Sequence, residues 1–275
     1  MARRKPTVTN ALMIIYGNKP SIIFSMNGQI DCPFLFPQER PAFPQDCRAY
    51  CKIAGMKFRT LRSIVRFVMK IIADIEIRGM DKLPEGNFIA AANHLGRLDT
   101  AVLLCVIDRE DIIMPIAEKY KDHPIFGAIG RAVNGIWLNR FDADFSALRQ
   151  ILERMKQGGM LVIAPEGTRS RTEALQEGKM GVAFLASKSG YPVLPVALTG
   201  TEDRLIVENL KRFRRSKITV TAGDPFFIET SRGKGREDAM REATSEIMCR
   251  IAAMLPEKYR GMYADHPRLK ELLNA

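Results

Sequence analysis

The chain has 275 residues, 46% of them apolar, which is enough for one large domain with a hydrophobic core or for one domain plus an appendage. Lysine and arginine total 42 against 31 aspartate and glutamate, and the net charge of +11 favours anionic partners: phospholipid surfaces, phosphorylated substrates, nucleic acid or an acidic carrier protein. Five cysteines without regular pairing argue against a disulfide framework, and no apolar run approaches the ~18 residues that a membrane-spanning helix needs.

Residues 1–55 differ from the rest of the chain. They are rich in proline and phenylalanine, as in DCPFLFPQERPAFPQDC, and show no sustained period, so we predict a poorly structured N-terminal extension. The basic start and short apolar patch lack a long apolar region and a cleavage site, and so do not predict a signal peptide. Cys32, Cys47 and Cys51 have no fourth partner at a familiar spacing, and we predict no metal site.

The stretch 56–76 begins with MKFRTLRSIVRFVMKIIADI and is amphipathic. Its apolar positions are Phe58, Leu61, Val65, Val68, Ile72 and Ile75, and its basic positions are Arg59, Arg62, Arg66 and Lys70. The pattern fits two structures: a helix packed on the domain with a solvated basic side, or a helix lying in an anionic membrane interface.

Beyond this helix, short β-type runs alternate with helical patterns. The predicted strands are IEIRG, NFIAAAN, DIIMPIA, VNGIWLNR, GMLVIAPEG, YPVLPVALTG and KITVTAGDPF. The predicted helices are DTAVLLCVID, DADFSALRQILERMKQG, KMGVAFLASKSG and the segment 235–255. This alternation predicts a single α/β domain over 77–260, with a mixed, largely parallel sheet flanked by helices and a C-terminal tail over 261–275.

His94 lies between the predicted strand NFIAAAN and the predicted helix DTAVLLCVID, in a loop at a strand end where α/β proteins bind ligands. Asp99 falls at the N-cap or first turn of that helix, where the helix dipole favours a carboxylate. From there it can hydrogen-bond one imidazole nitrogen and leave the other to accept a proton. A chance H-x4-D pair is not rare, so the pair alone leaves a catalytic dyad and a structural histidine both open.

A second polar stretch, APEGTRSR (164–171), follows the apolar strand MLVIA. Glu166 stands at the strand end, and Gly167 permits an unusual backbone and a close approach by a ligand. Thr168, Arg169 and Ser170 supply donors suited to a phosphate. Read alone, the stretch also fits a loop with a surface salt bridge.

Four blocks, in order along the chain, resemble those of the glycerolipid acyltransferase family, the lysophosphatidic acid acyltransferases. They are NHLGRLD (93–99), GIWLNR (135–140), APEGTRS (164–170) and VLPVALTG (193–200). The resemblance covers about residues 56–260. Any single block is weak, whereas four in order with apolar strands beside them are specific.

The resemblance implies an enzyme that moves a fatty acyl chain from acyl-CoA or acyl carrier protein to the free hydroxyl of 1-acyl-sn-glycerol 3-phosphate, giving phosphatidic acid in phospholipid biosynthesis. His94 would be the general base and Asp99 would orient it, with no acyl-enzyme, metal or other cofactor. Substrate binding would fall to Arg140, Glu166, Gly167, Thr168, Arg169 and Ser170, and Pro195 would lie in the acyl-donor block.

The family context favours the membrane-interface position for the helix at 56–76 and a cytoplasmic enzyme, peripheral on the inner face of the cell membrane. Three residues depart from the family pattern. Gly96 stands where many members have serine, Asn139 where aspartate is common, and Ala164 where phenylalanine or proline is usual.

Other functions remain open. The same chemistry fits another lysophospholipid or glycerol 3-phosphate as acceptor, and a thioesterase would use the dyad with water. A basic membrane- or nucleic-acid-binding protein would make the dyad structural, although no nucleic-acid-binding motif accompanies it. The basic run KRFRRSK (211–217) fits a solvated loop, or a contact with an anionic membrane or acidic donor. His123 and His266, each followed by proline, are predicted in loops.

Overall fold

The computed structural model describes residues 58–139, 144–228 and 235–274. The predictions made for residues 1–55 and for Arg140 therefore lie outside the described residues. The described strands are β1 (Ala73–Arg78), β2 (Ile89–Ala92), β3 (Ile112–Ile113), β4 (Pro115–Ala117), β5 (Ile136–Leu138), β6 (Met160–Ile163), β7 (Val193–Thr199) and β8 (Ser216–Ala222). The α-helices are α1 (Phe58–Ile72), α2 (Asp99–Val106), α3 (Pro124–Ala132), α4 (Phe145–Lys156), α5 (Gly181–Ser189), α6 (Asp203–Lys211), α7 (Arg236–Met254) and α8 (Pro267–Asn274).

Six strands form one mixed sheet in the order β1-β8-β7-β2-β6-β3. Only the β7–β8 pair is antiparallel among its neighbours. A small parallel pair, β4–β5, stands apart from it. The central strands are buried on both faces, which is why β2 reads IAAA and β6 reads MLVI rather than alternating with polar residues.

Two apolar cores cover the two faces of the sheet. Because successive side chains of a strand point to opposite faces, Ile89 and Ala91 join one core and Ala90 and Ala92 the other. The first core receives α4, α5 and α7, and the second receives α1 and α2. This layering is the predicted α/β class.

The strand ends that carry the candidate functional residues lie together at one end of the sheet, which we call the site edge. The C-terminal ends of β2, β6 and β7 lie there, because these strands are parallel. β8 runs antiparallel to β7, with Thr199 opposite Thr219, so β8 begins at the same edge. β1 runs parallel to β8, with Ala73 opposite Ser216, so the C-terminal end of α1 is there too.

The apolar stripe predicted on α1 mostly faces the domain. Leu61 is buried, and Phe58, Val65, Ile72 and Ile75 pack against the second core. Val68 is exposed instead. A different apolar stripe faces outward and is exposed: Ile64, Phe67, Val68 and Ile71. One apolar face of α1 thus packs against the domain, and a second apolar face remains exposed.

The basic side chains of α1 tie the helix to the C-terminal end of α2. Arg62 is buried, donates to the Arg109 carbonyl at 3.0 Å and pairs with Asp108. Arg66 donates to the Cys105 carbonyl at 3.1 Å, where the helix dipole favours a cation. These arginines are therefore engaged within the domain rather than forming a free basic face. Within the described ranges, no helix is both long and apolar enough to cross a membrane.

Three helices lie outside the predicted set: α3, α6 and α8. Two of them begin at the proline that follows a histidine, and His123 accepts the Ile125 and Phe126 amides at 3.3 Å, while His266 accepts the Arg268 amide at 3.2 Å. As predicted, both histidines lie in loops, directly before the first helical residue, and His123 is the N-cap of α3.

The segment 261–275, predicted as a tail, folds onto the domain as far as residue 274. A 3-10 turn at Gly261–Tyr263 leads to α8, where Leu269 is fully buried in the first core. Just before it, the Tyr259 hydroxyl donates to the buried Glu202 carboxylate, and the Tyr259 carbonyl accepts the Leu175 amide at 2.9 Å. The C-terminal segment thus supports two loops of the site edge.

Candidate active site

His94 and Asp99 meet at the end of β2. His94 Nδ1 lies 2.6 Å from Asp99 Oδ2, within hydrogen-bond distance. With the Nδ1 proton donated to Asp99, Nε2 is left as the acceptor, and no described protein atom bonds to it. The His94 side chain is 19% exposed, so a substrate hydroxyl can reach it.

Asp99 is set for orienting His94. It is the first residue of α2 and only 3% exposed. Its Oδ2 also accepts the Gly96 amide at 2.9 Å, while Oδ1 is buried with no partner among the described residues. A carboxylate so poorly solvated, at a helix N-terminus, directs its charge to the imidazole and stabilises an imidazolium.

Gly96 is required by the fold of this loop. A Cβ built on it would lie 1.8 Å from the Thr201 carbonyl oxygen and 2.9 Å from the Thr201 carbonyl carbon. Thr201 follows β7 and is fully buried, so its backbone has no room to retreat. The departure from serine at this position therefore reflects close packing between the loops after β2 and β7.

Glu166 anchors the backbone of the His94 loop. It is 3% exposed, and its Oε1 accepts the His94 amide at 2.8 Å while Oε2 accepts the Gln176 amide at 3.0 Å. Burial raises the pKa of this carboxyl, and the two backbone bonds lower it again in part. The predicted role in binding a phosphate does not fit this geometry. Both carboxylate oxygens already accept backbone amides, and a negatively charged carboxylate would repel the phosphate. Glu166 positions the backbone of the base instead.

Ser170 also serves the loop. Its amide donates to the His94 carbonyl at 2.8 Å, so both peptide groups of His94 are held by the 164–171 loop. Its hydroxyl donates to the Ala174 carbonyl at 2.6 Å and accepts the Ala174 amide at 3.1 Å. The Ser170 hydroxyl is thus occupied by the loop and not presented to a substrate.

Gly167 and Thr168 form the turn between these two anchors. Gly167 has a φ of 69°, the left-handed conformation that favours glycine. A Cβ there would lie 3.0 Å from the Lys179 side chain, which packs across the turn. Thr168 is exposed beside it. The close approach predicted for Gly167 is therefore made by Lys179 in this structure.

Arg169 belongs to a cation cluster that the motifs did not predict. Asp203, the first residue of α6, accepts Arg169 Nη1 at 3.0 Å. The same carboxylate accepts the Arg97 amide at 2.8 Å and lies 3.3 Å from Arg97 Nε. Arg97 is 71% exposed. One carboxylate thus aligns two guanidinium groups, one from the loop after β2 and one from the loop after β6.

One predicted substrate residue, Pro195, stands apart from this cluster. Pro195 is buried within β7, opposite Ala91 of β2, and lies in the sheet rather than on the site surface. Arg140 lies outside the described residues. The neighbouring Asn139 amide donates to Asp144 at 3.0 Å at the start of α4. Among the described residues there is no group of three or more side chains suited to holding a metal ion.

Arg97, Asp203 and Thr201 were not singled out from the sequence. Arg97 occupies an unspecified position of the N-H-x4-D block, and Asp203 follows the last block by a few residues. The signal that could have identified Asp203 is the acid pair Glu202 and Asp203 after VLPVALTG. A carboxylate between a strand end and a helix start lies near the loops that follow the neighbouring strands.

The fold and the dyad define a known class. Residues 74–199 match the family model described as Acyltransferase, a span that runs from β1 to the end of β7 and includes His94, Asp99 and Glu166. Over these residues the chain is similar to this acyltransferase family, and the resemblance read from the four blocks is confirmed.

Within that family, the chain is similar to enzymes named 1-acyl-sn-glycerol-3-phosphate acyltransferase. It is 28% identical over 155 residues to the chloroplastic BAT2 of Brassica napus, which covers 52% of this chain and 44% of the relative. It is 30% identical over 137 residues to the chloroplastic LPAT1 of Arabidopsis thaliana, covering 46% of this chain and 36% of the relative. The chain thus spans less than half the length of these two relatives.

A solved structure shares the fold. The 1-acyl-sn-glycerophosphate (LPA) acyltransferase PlsC from Thermotoga maritima superposes with a TM-score of 0.51 at 21% identity, covering 72% of this chain and 84% of that one. The predicted fold class is therefore confirmed.

Proposed function

We propose that the protein is an O-acyltransferase that moves a fatty acyl chain from an acyl thioester to the free hydroxyl of 1-acyl-sn-glycerol 3-phosphate, giving phosphatidic acid. The observation that carries the proposal is the 2.6 Å contact of His94 Nδ1 with the buried Asp99, together with the exposed guanidinium of Arg97 and the half-buried guanidinium of Arg169. The first part supplies a base for a hydroxyl, and the second supplies cations for a phosphate. The relatives from Brassica napus and Arabidopsis thaliana are named for acyl transfer to this acceptor.

In this mechanism, His94 Nε2 removes the proton from the acceptor hydroxyl while the oxygen attacks the thioester carbonyl carbon. Asp99 stabilises the imidazolium that forms. The tetrahedral intermediate collapses, the carbon–sulfur bond breaks, and the thiolate takes the proton from His94. The thioester already carries the activation that the transfer needs, so the reaction uses no metal and no further cofactor.

The acceptor phosphate is bound by Arg97 and Arg169. Asp203 fixes one edge of each guanidinium and leaves other N–H donors of the fork for phosphate oxygens. The cluster retains a net charge of +1 after Asp203 is counted. Thr168, exposed in the same loop as Arg169, adds a hydroxyl donor.

Contact with the membrane is assigned to the outward stripe of α1. Phe67 is 67% exposed and lies on one face with Ile64 and Ile71. An exposed apolar stripe on a helix is typical of a segment that rests in the lipid interface. A peripheral position on the cytoplasmic face of the cell membrane would bring lysolipid directly to the site edge.

The test is thiol release from acyl-CoA, and separately from acyl carrier protein, with and without 1-acyl-sn-glycerol 3-phosphate. We expect release that depends on the lysolipid and matches the phosphatidic acid formed. Release of equal size without acceptor would identify a thioesterase that uses the dyad with water, and release only with another lysophospholipid or glycerol 3-phosphate would change the acceptor. Comparison of the two donors identifies the acyl carrier.

Replacing Arg97 by serine is expected to raise KM for 1-acyl-sn-glycerol 3-phosphate by about tenfold or more, with kcat little changed, because charge-assisted bonds to the phosphate are lost. Arg241→Ser is the matched control, since Arg241 is also exposed and paired, with Glu237 at 2.6 Å. Acyl transfer to 1-acylglycerol, which lacks the phosphate, should be weak and insensitive to Arg97→Ser. A variant equally impaired on both acceptors would show that Arg97 does not read the phosphate.

A further inference from the structure

We propose that the loop Lys211–Arg215, with Phe213 at its tip, is a second contact of this protein with an anionic lipid surface. We call it the Phe213 loop. The inference rests on the proposed function in one respect: a lipid acceptor gives the enzyme a reason to dock there. The binding itself is independent of the reaction and is measured separately.

Phe213 is 100% exposed, the most exposed large apolar side chain of the described residues. Its backbone φ of 53° is left-handed, a conformation uncommon for a bulky residue and usually taken by glycine or asparagine. The turn is well bonded: the Phe213 amide donates to the Leu210 carbonyl at 3.1 Å and the Arg214 amide to the Asn209 carbonyl at 2.8 Å. The fold therefore holds an aromatic ring out in the solvent on a defined turn, which indicates a partner with an apolar interior.

The charges around Phe213 are basic. Lys211, Arg212, Arg214 and Arg215 are all exposed. Arg212 pairs with Glu208 at 2.8 Å and Arg215 lies 3.7 Å from Asp74, whereas Lys211 and Arg214 have no ion-pair partner among the described residues. An aromatic tip inside a ring of cations fits an anionic lipid interface, where the ring enters the acyl boundary and the cations meet phosphates.

The Phe213 loop lies at the same end of the sheet as the candidate active site. The loop leads into β8, which begins at the site edge, beyond the level of Thr199 at the end of β7. Arg215 Nε donates to the Ala73 carbonyl at 3.1 Å, so the loop lies against the C-terminal end of α1, where Ile71 is exposed. Lipid contact through the Phe213 loop and α1 would thus place the loops that carry His94 and Arg97 against the surface that supplies the acceptor.

The experiment measures sedimentation of the full chain with vesicles of phosphatidylglycerol and phosphatidylcholine, and with vesicles of phosphatidylcholine alone. Phe213→Ser is expected to lower the partition coefficient on the mixed vesicles about tenfold, because the buried ring is lost. The double variant Lys211→Ser, Arg214→Ser is expected to lower it about twentyfold on the mixed vesicles and little on phosphatidylcholine. Salt should weaken binding of the unaltered protein in the same way.

The matched control removes two exposed lysines, Lys156 and Lys188, that end helices leading into β6 and β7 and so lie at the opposite edge of the sheet. Lys156→Ser, Lys188→Ser should bind vesicles like the unaltered protein. All variants should acylate a monodisperse short-chain acceptor at the unaltered rate, which separates loss of docking from loss of the proposed chemistry and from misfolding.

Unaltered vesicle binding by both Phe213-loop variants would overturn the proposal. So would equal loss of binding in the Lys156, Lys188 control, because the effect would then be one of net charge. A raised KM for acyl carrier protein with vesicle binding intact would also overturn it, and would identify the loop as a docking surface for an acidic protein.

Discussion

Replacement of His94 by alanine is expected to lower kcat/KM for acyl transfer by about 10³-fold, with the free energy of unfolding little changed. General bases contribute about 10²–10⁴-fold to proton transfer, and among the described histidines only His94 is paired with a buried carboxylate. Asp99→Asn should cost a similar factor, because an amide no longer stabilises the imidazolium and favours the wrong tautomer. Thiol release in the presence of lysolipid measures both.

The matched control for this test is His123→Asn. His123 accepts two amides at the start of α3, and asparagine is itself a good N-cap, so both stability and turnover should be retained. Acyl transfer by His94→Ala within tenfold of the unaltered enzyme would contradict the dyad mechanism and leave His94 as a structural residue held by Asp99 and Glu166.

Gly96→Ser is expected to destabilise the protein by about 3 kcal/mol and to lower Tm by roughly 5–10 °C, even though serine is common at this position in the family. The new Cβ would lie 1.8 Å from the Thr201 carbonyl oxygen, and the loops after β2 and β7 are both fixed by buried contacts. Relief requires the loop after β2 to move, which breaks the Gly96 bond to Asp99 and shifts His94. Activity should therefore fall at least tenfold at temperatures where the protein is still folded.

Gly181→Ser provides the comparison, since a Cβ at Gly181 meets nothing within 4 Å and its backbone needs no left-handed φ. Thermal unfolding of both variants tests the predicted loss of stability, and lysolipid-dependent thiol release tests the predicted loss of activity. If Gly96→Ser unfolds at the same temperature as Gly181→Ser, the loops after β2 and β7 are not packed as tightly as the distances indicate.

Several features of the site follow from local sequence alone. The alternation of apolar runs with helical patterns predicts the α/β class, because strands buried on both faces must be continuously apolar. The His94–Asp99 contact is likewise local: a strand end, a short loop and a helix start set the two side chains together. The position of the 164–171 loop beside His94 is not local, because it depends on the parallel pairing of β2 with β6.

Roles that depend on residues distant in sequence were not accessible in this way. The family resemblance implied that Glu166 binds the acceptor, but in the structure Glu166 points inward and accepts the His94 amide. Arg97 and Arg169 become a pair only through Asp203, which is 106 positions away from Arg97.

The amphipathic helix shows the same division. Its sequence by itself determined that α1 forms and that it has apolar and basic faces, because helical spacing is a local property. Only the tertiary structure decided that Leu61 and Arg62 are buried and that Phe67 is exposed. The reason is physical: periodicity states which side chains share a face, whereas burial depends on which neighbouring surface competes to cover that face, and those neighbours are set by the sheet and α2.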